Sequence, residues 1–236
     1  MYHNIGIPPK GIKFRGLYVL PLMFRFQMWY LKIAGFKVVP LRDIVDFIKG
    51  RNSHEKLVAI TFDDGYQDFY DKAYPVIRKY HYPATVFIVS GFVGKENLWD
   101  YKELNVRKKL LDWNQILELK QNGVDPGGHS KTHPYLSQLS IEELQTEILD
   151  SKTTMEEKLK CPVDYFCYPY GDYNEKVVEV VTQAKYQGAV TVQRGFVLQG
   201  DNPFEIKRVL IKFNTHPLLF ILKLYTSYET RKGLKK

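Results

Sequence analysis

The sequence predicts a single-domain α/β barrel, and three observations support this prediction. Short apolar, β-rich segments alternate with amphipathic helical patterns along almost the whole chain, as in stacked βα units. Continuous apolar strands, of which residues 57–60 are an example, are typical of a parallel sheet that is covered on both faces. No glycine-rich phosphate-binding loop follows an early strand, which favours a barrel over a doubly wound sheet.

The predicted elements follow from local composition and periodicity. Strands are predicted at 36–39, 57–62, 84–90, 163–168, 188–192 and 207–211, with weaker ones at the N-terminus and near Val124. Helices are predicted at 24–34, 41–48, 68–81, 113–121, 141–159, 175–184 and 217–228. Gly35 ends the first helix, Ser140 and Glu143 form a capping box, and Asn174 caps the following helix.

The composition excludes several classes of protein. The 236 residues are 44% apolar and 25% charged, which is typical of a globular chain and excludes disordered, collagen-like and coiled-coil proteins. Cys161 and Cys167 are too few for a disulfide scaffold or a four-thiolate zinc site, and we expect two free thiols. We expect one catalytic domain over residues 1–228 and a basic tail over 229–236.

The positive charge is concentrated near the C-terminus. Residues 207–236 carry eight basic residues and one acid, Glu229, and so account for most of the net charge of +8. Such an end either docks on anionic lipid headgroups or an acidic polymer, or forms a solvated helix face and a frayed tail. Nucleic acid is not an expected partner, because no basic stripe interleaved with aromatic residues occurs in the body of the chain.

The apolar segments predict the location of the protein. No apolar run reaches the ~18 residues of a membrane span, and the apolar segment at 17–24 lacks the features of a signal peptide. We therefore expect a cytoplasmic protein, with or without contact to a membrane surface. An extracytoplasmic location is the alternative if the native chain begins before Met1.

The first candidate site is an acidic pair at the end of a predicted strand. Residues 57–62 run directly into Asp63, Asp64 and Gly65. Adjacent carboxylates repel each other unless a positive group lies beside them, and Gly65 permits a sharp turn that brings both into one cavity. A divalent metal ion would supply that charge, and the alternative is an Asx turn that closes the strand.

Two histidines in a second segment have the spacing of metal ligands. His129 and His133 follow the weak strand near Val124, and we expect both on one side of a helical turn. We expect the preceding Gly127 and Gly128 to leave room for the ion. Together with a carboxylate from another strand end, the two imidazoles leave a coordination position open for water or substrate, which is typical of a catalytic zinc site.

A third segment follows another predicted strand. Within residues 166–171, Pro169 and Gly171 fix a turn that can aim a backbone N–H group into the cavity to stabilise a developing oxyanion. The alternative is a plain strand-to-helix turn whose aromatic side chains belong to the core. Because barrel enzymes carry their active sites at the C-terminal ends of the strands, we expect all three segments to meet in one site.

These segments resemble the first three motifs of a known family. The sequences TFDDGY at 61–66, HSKTHP at 129–134 and YPYG at 168–171 are similar to motifs of the polysaccharide deacetylases related to the nodulation deacetylase, carbohydrate esterase family 4. Residues 2–5 and 27–36 resemble the N-terminal part of the subgroup that includes the biofilm poly-N-acetylglucosamine deacetylases. The resemblance covers most of the chain from Tyr2 to about Ile211.

The resemblance implies a fold, an activity and a set of site residues. The fold is a distorted (β/α) barrel, and the activity is the metal-dependent removal of N-acetyl groups. Asp63 would be the catalytic base, and the N–H of Tyr170, which with Pro169 would contact substrate, would share the oxyanion. The ion is expected to be Zn²⁺, with Co²⁺, Ni²⁺ or Fe²⁺ as alternatives. Its implied ligands are Asp64, His129 and His133.

The sequence departs from the family pattern at three places. The third motif usually carries an arginine that pairs with the base, but Cys167 stands there, and we expect Arg208 to supply that charge, the alternative being a solvated arginine. No Asp-Xaa-Xaa-Asp-Trp motif occurs in the last third. The Leu-Xaa-His motif of the usual general acid is also absent, which leaves His3, His216 and an ordered water as alternatives, and His216 also suits a helix start.

The expected substrate is an amino-sugar glycan or its nucleotide- or lipid-linked precursor. Trp99, Tyr101 and Trp113, on or near the long connection after strand 84–90, either stack on sugar rings or pack in the core. Other functions remain as alternatives. They are a hydrolase of another small amide such as a formamido sugar or an acylamine, a non-catalytic glycan-binding module, and a membrane-surface scaffold.

Overall fold

A computed structural model describes residues 1–51 and 56–233. Six parallel strands form its central sheet, and two further parallel pairs lie beside it. The strands are β1 Asn4–Ile5, β2 Tyr18–Val19, β3 Lys37–Val38, β4 Leu57–Val58, β5 Thr61–Phe62, β6 Ala84–Ile88, β7 Val124–Gly128, β8 Tyr165–Cys167, β9 Gly188–Arg194 and β10 Ile206–Arg208. Strands β5 to β10 follow one another across the sheet in chain order, as expected for stacked βα units.

The N-terminal residues join the two edges of the central sheet. At the β5 edge, the N–H of Tyr2 donates to the carbonyl of Thr61 at 2.9 Å, and the N–H of Asp63 donates to the carbonyl of Tyr2 at 3.0 Å. Just beyond the β10 edge, the N–H of Ile211 donates to the carbonyl of Met1 at 3.2 Å. The curled sheet is thereby bridged at its open side, and the predicted distorted (β/α) barrel is confirmed.

The predicted bounds of α2 and α5 match the structure, but the described residues form ten α-helices where seven were predicted. They are α1 Pro21–Ile33, α2 Leu41–Ile48, α3 Tyr74–Tyr80, α4 Tyr101–Leu104, α5 Trp113–Gln121, α6 Ile141–Gln145, α7 Ser151–Leu159, α8 Glu175–Gln183, α9 Pro217–Tyr225 and α10 Tyr228–Gly233. The helix predicted over 141–159 is α6 and α7 with a π-helical turn, Thr146–Asp150, between them. A second π-helical turn, Phe69–Ala73, precedes α3. Among the described residues, no helix combines the length and apolar character needed to cross a bilayer.

The strand predicted over 57–62 is two short strands that pair with different partners. β4 pairs with β3, outside the central sheet, whereas β5 pairs with β6 inside it. Ala59 and Ile60 connect them. Of the two, only β5 therefore belongs to the central sheet, and the residues after it lie at the C-terminal end of a central strand.

Helix α2 and alternate strand residues fill the interior of the barrel. Leu41, Ile44, Val45 and Ile48 recur at the spacing of one helix face, and all four are buried. They pack with inward-facing strand residues whose side chains point to the same side of the sheet. These strand residues are Phe87, Tyr165, Cys167, Val190 and Ile206. Burial of each large apolar side chain contributes about 1.5–3 kcal/mol, so this cluster keeps the strand ends above it in place.

An ion-pair cluster anchors the C-terminal helices. The Glu229 side chain is fully buried, and the Arg194 guanidinium donates to both of its oxygens at 2.8 Å. The ammonium group of Lys223, also buried, contacts the same carboxylate. Burial opposes ionisation of Glu229, but the hydrogen bonds from Arg194 and Lys223 outweigh it and hold the pKa below its ordinary value. Residues 234–236 lie outside the described residues, and the division of the chain at residue 229 stays a prediction.

We expect Glu229→Gln to lower the free energy of unfolding by about 3 kcal/mol, because the amide leaves buried Lys223 without a counter-charge. Urea denaturation at neutral pH measures this loss. The difference from wild type should shrink as the pH falls through the lowered pKa of Glu229, since protonation removes the same charge. Glu142→Gln, on the exposed side of α6, is the control, and an equal loss in both variants would contradict the prediction.

Candidate active site

Asp63 and Asp64 lie at the C-terminal end of β5 with both side chains buried. The turn that positions them contains two successive left-handed residues, Asp64 at φ 74° and Gly65 at φ 67°. A left-handed backbone is strained for aspartate, and strain of this kind persists where the surrounding structure imposes it. The sharp turn expected from Gly65 is therefore present, and both carboxylates reach the same end of the barrel.

Asp64 lies beside both predicted histidine ligands. The Nε2 atom of His129 is 3.3 Å from Oδ1 of Asp64, and the Nε2 atom of His133 is 3.5 Å from the same oxygen. The two Nε2 atoms are 3.2 Å apart. All three side chains are buried, and one ligand atom from each lies within 4.8 Å of the others. The structure thus brings together the three residues that the resemblance implies as metal ligands.

The donor set fits a divalent metal ion. The Nδ1 atom of His129 is 2.7 Å from the carbonyl oxygen of Cys167, so Nδ1–H donates there and Nε2 is the ring nitrogen that is directed at Asp64. Burial opposes ionisation of Asp64, but hydrogen bonds from His129 and His133 hold its pKa well below the ordinary value. Two imidazole nitrogens and one ionised carboxylate oxygen are ligands that suit Zn²⁺ and related transition metals.

The prediction of a helical turn for the two histidines is wrong. Ser130 and His133 have φ values of 60° and 65°, which interrupt any helix. The Ser130 hydroxyl accepts the N–H of His133 at 2.9 Å. The Glu147 carboxylate accepts the N–H groups of Lys131 and Thr132 at 2.9 and 2.8 Å. A carboxylate from a distant helical segment therefore determines this loop, and local spacing does not reveal it.

The two glycines before this loop have a packing role that differs from the prediction. A Cβ atom on Gly127 would lie 2.4 Å from the Phe87 ring, and one on Gly128 would lie 2.3 Å from the Tyr186 hydroxyl. The glycines therefore make room for two aromatic side chains. The close approach of β7 to these rings places the histidine loop above the barrel core.

Arg208 and Asp63 form a buried bidentate ion pair. Nη1 and Nη2 of Arg208 lie 2.7 and 2.8 Å from the two carboxylate oxygens of Asp63. The guanidinium is fixed by the carbonyl of Thr191, 2.7 Å from Nε, and Nη2 lies 3.3 Å from Sγ of Cys167. Burial opposes ionisation of Asp63, but the charge of Arg208 outweighs it and lowers the pKa. Arg208 is thus buried and paired rather than solvated, while its catalytic role stays a prediction.

The two histidines considered for the general acid have different surroundings. The Nε2 atom of His3 is 3.8 Å from Oδ2 of Asp63, and burial lowers the pKa of His3. His216 precedes α9, and its Nδ1 accepts the N–H of Leu219 at 3.4 Å. The interpretation of His216 as a helix start is confirmed. Of these two histidines, His3 is the one beside the predicted base.

The third motif forms a turn next to the histidine ligands. Pro169–Gly171 is a 3₁₀ turn in which Tyr170 has φ 58°. The Tyr170 ring lies 4.5 Å from the His133 ring, edge to face, and stacks on Tyr135 at 4.3 Å. Tyr135 and Tyr170 remain partly exposed, so they form an accessible aromatic surface at the rim of the site.

The three aromatic residues from the long connection have separate roles. Trp99 stacks on the His133 ring with a centroid distance of 5.1 Å and therefore lies at the site. Trp113 begins α5 and packs against the core. The ring of Tyr101 is covered by the Arg107 guanidinium at 4.8 Å.

Sequence reasoning missed Asp100. Its carboxylate accepts from Nδ2 of Asn97 at 2.8 Å and from the Tyr66 hydroxyl at 3.5 Å. Burial and then the charge of Asp64 raise the pKa of Asp100 to about 7. The long connection after β6, which contains Asp100, carries no recognised motif. The one hint in the sequence that Asp100 lies near the site is that it directly follows Trp99.

Comparisons with known proteins agree with this geometry. A family model described as polysaccharide deacetylase matches residues 50–189. The poly-beta-1,6-N-acetyl-D-glucosamine N-deacetylase of Staphylococcus aureus strain MRSA252 is 28% identical over 191 residues. The match covers 80% of this chain and 66% of that relative, so the chain spans about two thirds of its length.

Two solved structures share the fold. The Streptococcus pyogenes deacetylase PplD, in complex with acetate, matches with a TM-score of 0.82, 25% identity and 96% of each chain covered. IcaB from Ammonifex degensii matches with a TM-score of 0.81, 23% identity and 94% of each chain covered. The resemblance stated from the three motifs is confirmed. Because the family model covers more than half of the sequence and includes both segments that supply the candidate metal ligands, the chain belongs to the polysaccharide deacetylase family.

Proposed function

We propose that this chain is a metal-dependent hydrolase that removes N-acetyl groups from an amino-sugar glycan or a glycan precursor. The observation that carries the proposal is an ionised carboxylate, Asp63, beside but outside the group formed by Asp64, His129 and His133. Hydrolysis of an amide needs a base for water and an electrophile for the carbonyl. Asp63, paired with Arg208, suits the role of the base, and Asp64, beside the two histidines, suits that of a ligand to the electrophile.

The electrophile is assigned to a divalent ion, for which we propose Zn²⁺. Asp64, His129 and His133 would hold it. When bound, the ion supplies a Lewis acid that polarises the acetamide carbonyl and a water molecule. The Cys167 carbonyl supports this role because it holds His129 in the tautomer that leaves Nε2 free to ligate.

The base is assigned to Asp63. Arg208 keeps this carboxylate ionised and aims it by a two-point contact, so that it can accept a proton from the attacking water. The proton must then reach the leaving nitrogen, and His3, beside Oδ2 of Asp63, is our proposed relay. The backbone N–H of Tyr170 is proposed to donate to the oxyanion, since its residue packs against His133.

The substrate proposal rests on the aromatic rim. Tyr135 and Tyr170 stack on each other with exposed faces of the kind that pack against the apolar side of a pyranose ring. Trp99 extends the aromatic surface on the other side of His133. The Staphylococcus aureus relative is named for deacetylation of poly-beta-1,6-N-acetyl-D-glucosamine, and we propose a glycan built from N-acetylated amino sugars for this chain.

We expect acetate release from N-acetylglucosamine oligomers by the zinc-loaded protein, and a fall of at least ~10²-fold in Asp63→Asn. The amide cannot accept the proton, whereas the ligand set is unchanged, so the bound zinc should stay at one per chain. Asp125→Asn, whose carboxylate pairs with Lys120 away from the site, is the matched control. Full activity in Asp63→Asn would contradict the base assignment, and no release by the wild type would contradict the substrate.

We expect chelator to remove both the ion and the activity, and Zn²⁺ or Co²⁺ to restore them. Loss of one imidazole in His133→Ala should weaken Zn²⁺ affinity at least tenfold by calorimetric titration. Co²⁺ gives a second readout, because its visible absorption reports the ligand set without any turnover. His216→Ala removes a histidine that caps a helix and should titrate like wild type. Equal affinities in the two variants would contradict the ligand assignment.

We expect Arg208→Met to lower kcat by about 10²-fold, because Asp63 loses its charge partner and its orientation. The double variant Arg208→Met/Cys167→Arg should regain activity. That result would show that Arg208→Met loses turnover because Asp63 lacks a positive partner and not because the protein is less stable. Sγ of Cys167 already lies 3.3 Å from the guanidinium, so an arginine there returns the charge to nearly the same place. Unchanged turnover in Arg208→Met, at equal zinc content, would contradict the role of Arg208.

A further inference from the structure

Helix α1 presents apolar side chains on two opposite faces. Its inner face is buried in the core, through Phe24, Met28 and Leu31 among others. Its outer face carries Leu22, Trp29 and Ile33, which are 70, 45 and 57% exposed. At roughly 100° per residue these three side chains fall on one narrow stripe. A surface helix of a globular protein usually turns charged residues to this side.

Helix α9 likewise exposes apolar side chains on the face where charged residues are usual. Leu218, Leu222 and Tyr225 are 74, 41 and 49% exposed and lie on one stripe. The charged residue of this helix, Lys223, is instead buried against Glu229. The buried ion pair turns the leucines outward, so their exposure is a property of the fold.

The two apolar stripes belong to neighbouring helices. The Tyr30 ring of α1 meets the Phe220 ring of α9 at 6.2 Å, and Phe36, just after α1, meets Tyr225 at 5.6 Å. We call the six exposed side chains the α1–α9 face. They are Leu22, Trp29, Ile33, Leu218, Leu222 and Tyr225. Large apolar side chains that are exposed together on two packed helices mark a contact with a protein or a membrane.

The segments that build this face carry the net positive charge of the molecule. Residues 1–42 contain seven basic residues and no acid. Residues 207–236 contain eight basic residues, of which Arg208 and Lys223 are buried in ion pairs, and one acid, the buried Glu229. Residues 43–206 have the opposite balance, with 19 basic residues and 25 acids. The apolar face therefore lies within the cationic part of the chain.

Basic side chains lie at the edge of the face. The ammonium group of Lys56 is 5.9 Å from the centroids of both the Phe36 and Tyr225 rings. Near the end of α9, Leu222 shares a depression of about 450 Å³ with Arg231 and Lys232, and no acid lines it. Exposed leucines next to exposed cations are typical of a protein surface that lies in the headgroup region of a bilayer.

We propose that the α1–α9 face docks on a membrane surface that contains anionic lipids. The apolar side chains would enter the boundary between headgroups and acyl chains, and the surrounding cations would contact lipid phosphates. Charge argues against a second copy of this chain as the occupant, because a symmetric dimer would bring two cationic faces together. The proposal is independent of the deacetylase assignment, since docking involves none of the residues of the proposed active site.

Vesicle flotation tests the proposal with the full chain. We expect binding to phosphatidylcholine vesicles with 25% phosphatidylglycerol, and at least tenfold weaker binding to pure phosphatidylcholine vesicles or at high salt. Leu218→Glu and Leu22→Glu, one on each helix, should each weaken binding at least tenfold. Ile141→Glu and Leu117→Glu are matched controls, because they place the same charge on exposed apolar positions of α6 and α5.

The charge contribution is tested by Arg231→Gln/Lys232→Gln, which should weaken binding to the anionic vesicles about tenfold or more. These substitutions keep Glu229, whereas a truncation before residue 229 would remove it and leave buried Lys223 without its counter-charge. Absence of flotation by the wild type, or equal flotation by the face variants and their controls, would overturn the proposal. A stable dimer in light scattering that Leu218→Glu converts to monomer would also overturn the proposal. Thermal melts of each variant identify any that fails to fold.

Discussion

The ion pair of Asp63 and Arg208 connects the first and last strands of the central sheet. Asp63 follows β5 and Arg208 ends β10, so the pair joins the two edges that hydrogen bonds between neighbouring strands leave open. Burial of either charge alone would cost several kcal/mol, and the bidentate contact offsets that cost only when both strands are in place. The same contact determines the charge and the direction of the carboxylate that the proposed chemistry needs. The same ion pair therefore closes the barrel and orients the proposed base.

Much of the fold was predictable because its strongest signals are local. The bounds of α2 and α5 follow from apolar spacing, and the parallel sheet follows from the alternation of βα units. The division of 57–62 into β4 and β5 was not predictable, because it depends on which distant strand each half pairs with. The buried Glu229 was missed for a related reason, since its partner Arg194 lies 35 residues away.

The chemical identity of the site was easier to predict than its geometry. Two short motifs, at 61–66 and 129–134, gave Asp64, His129 and His133, and the structure brings them together. The shape of the histidine loop depends on Glu147, and the need for glycine in β7 depends on the rings of Phe87 and Tyr186. These contacts come from other segments, so the expected helical turn was wrong, and the glycines make room for aromatic rings rather than for the ion. Arg208 was predicted only as a charge near the base, whereas its two-point contact with Asp63 required the folded barrel.

The hydrogen bonds of Met1 and Tyr2 constrain the order in which the molecule can fold. Met1 pairs with Ile211, so the ends of the central sheet meet only after more than 200 residues have been synthesised. Loop closure over such a distance is slow compared with the formation of neighbouring βα units. During synthesis Tyr2 can pair with β5 early, but Met1 cannot pair with Ile211 until the residues after β10 have emerged from the ribosome. A nascent chain that has not yet reached Arg208 carries the candidate metal ligands but lacks the charge that pairs with Asp63, so the complete site can assemble only after β10 has been synthesised.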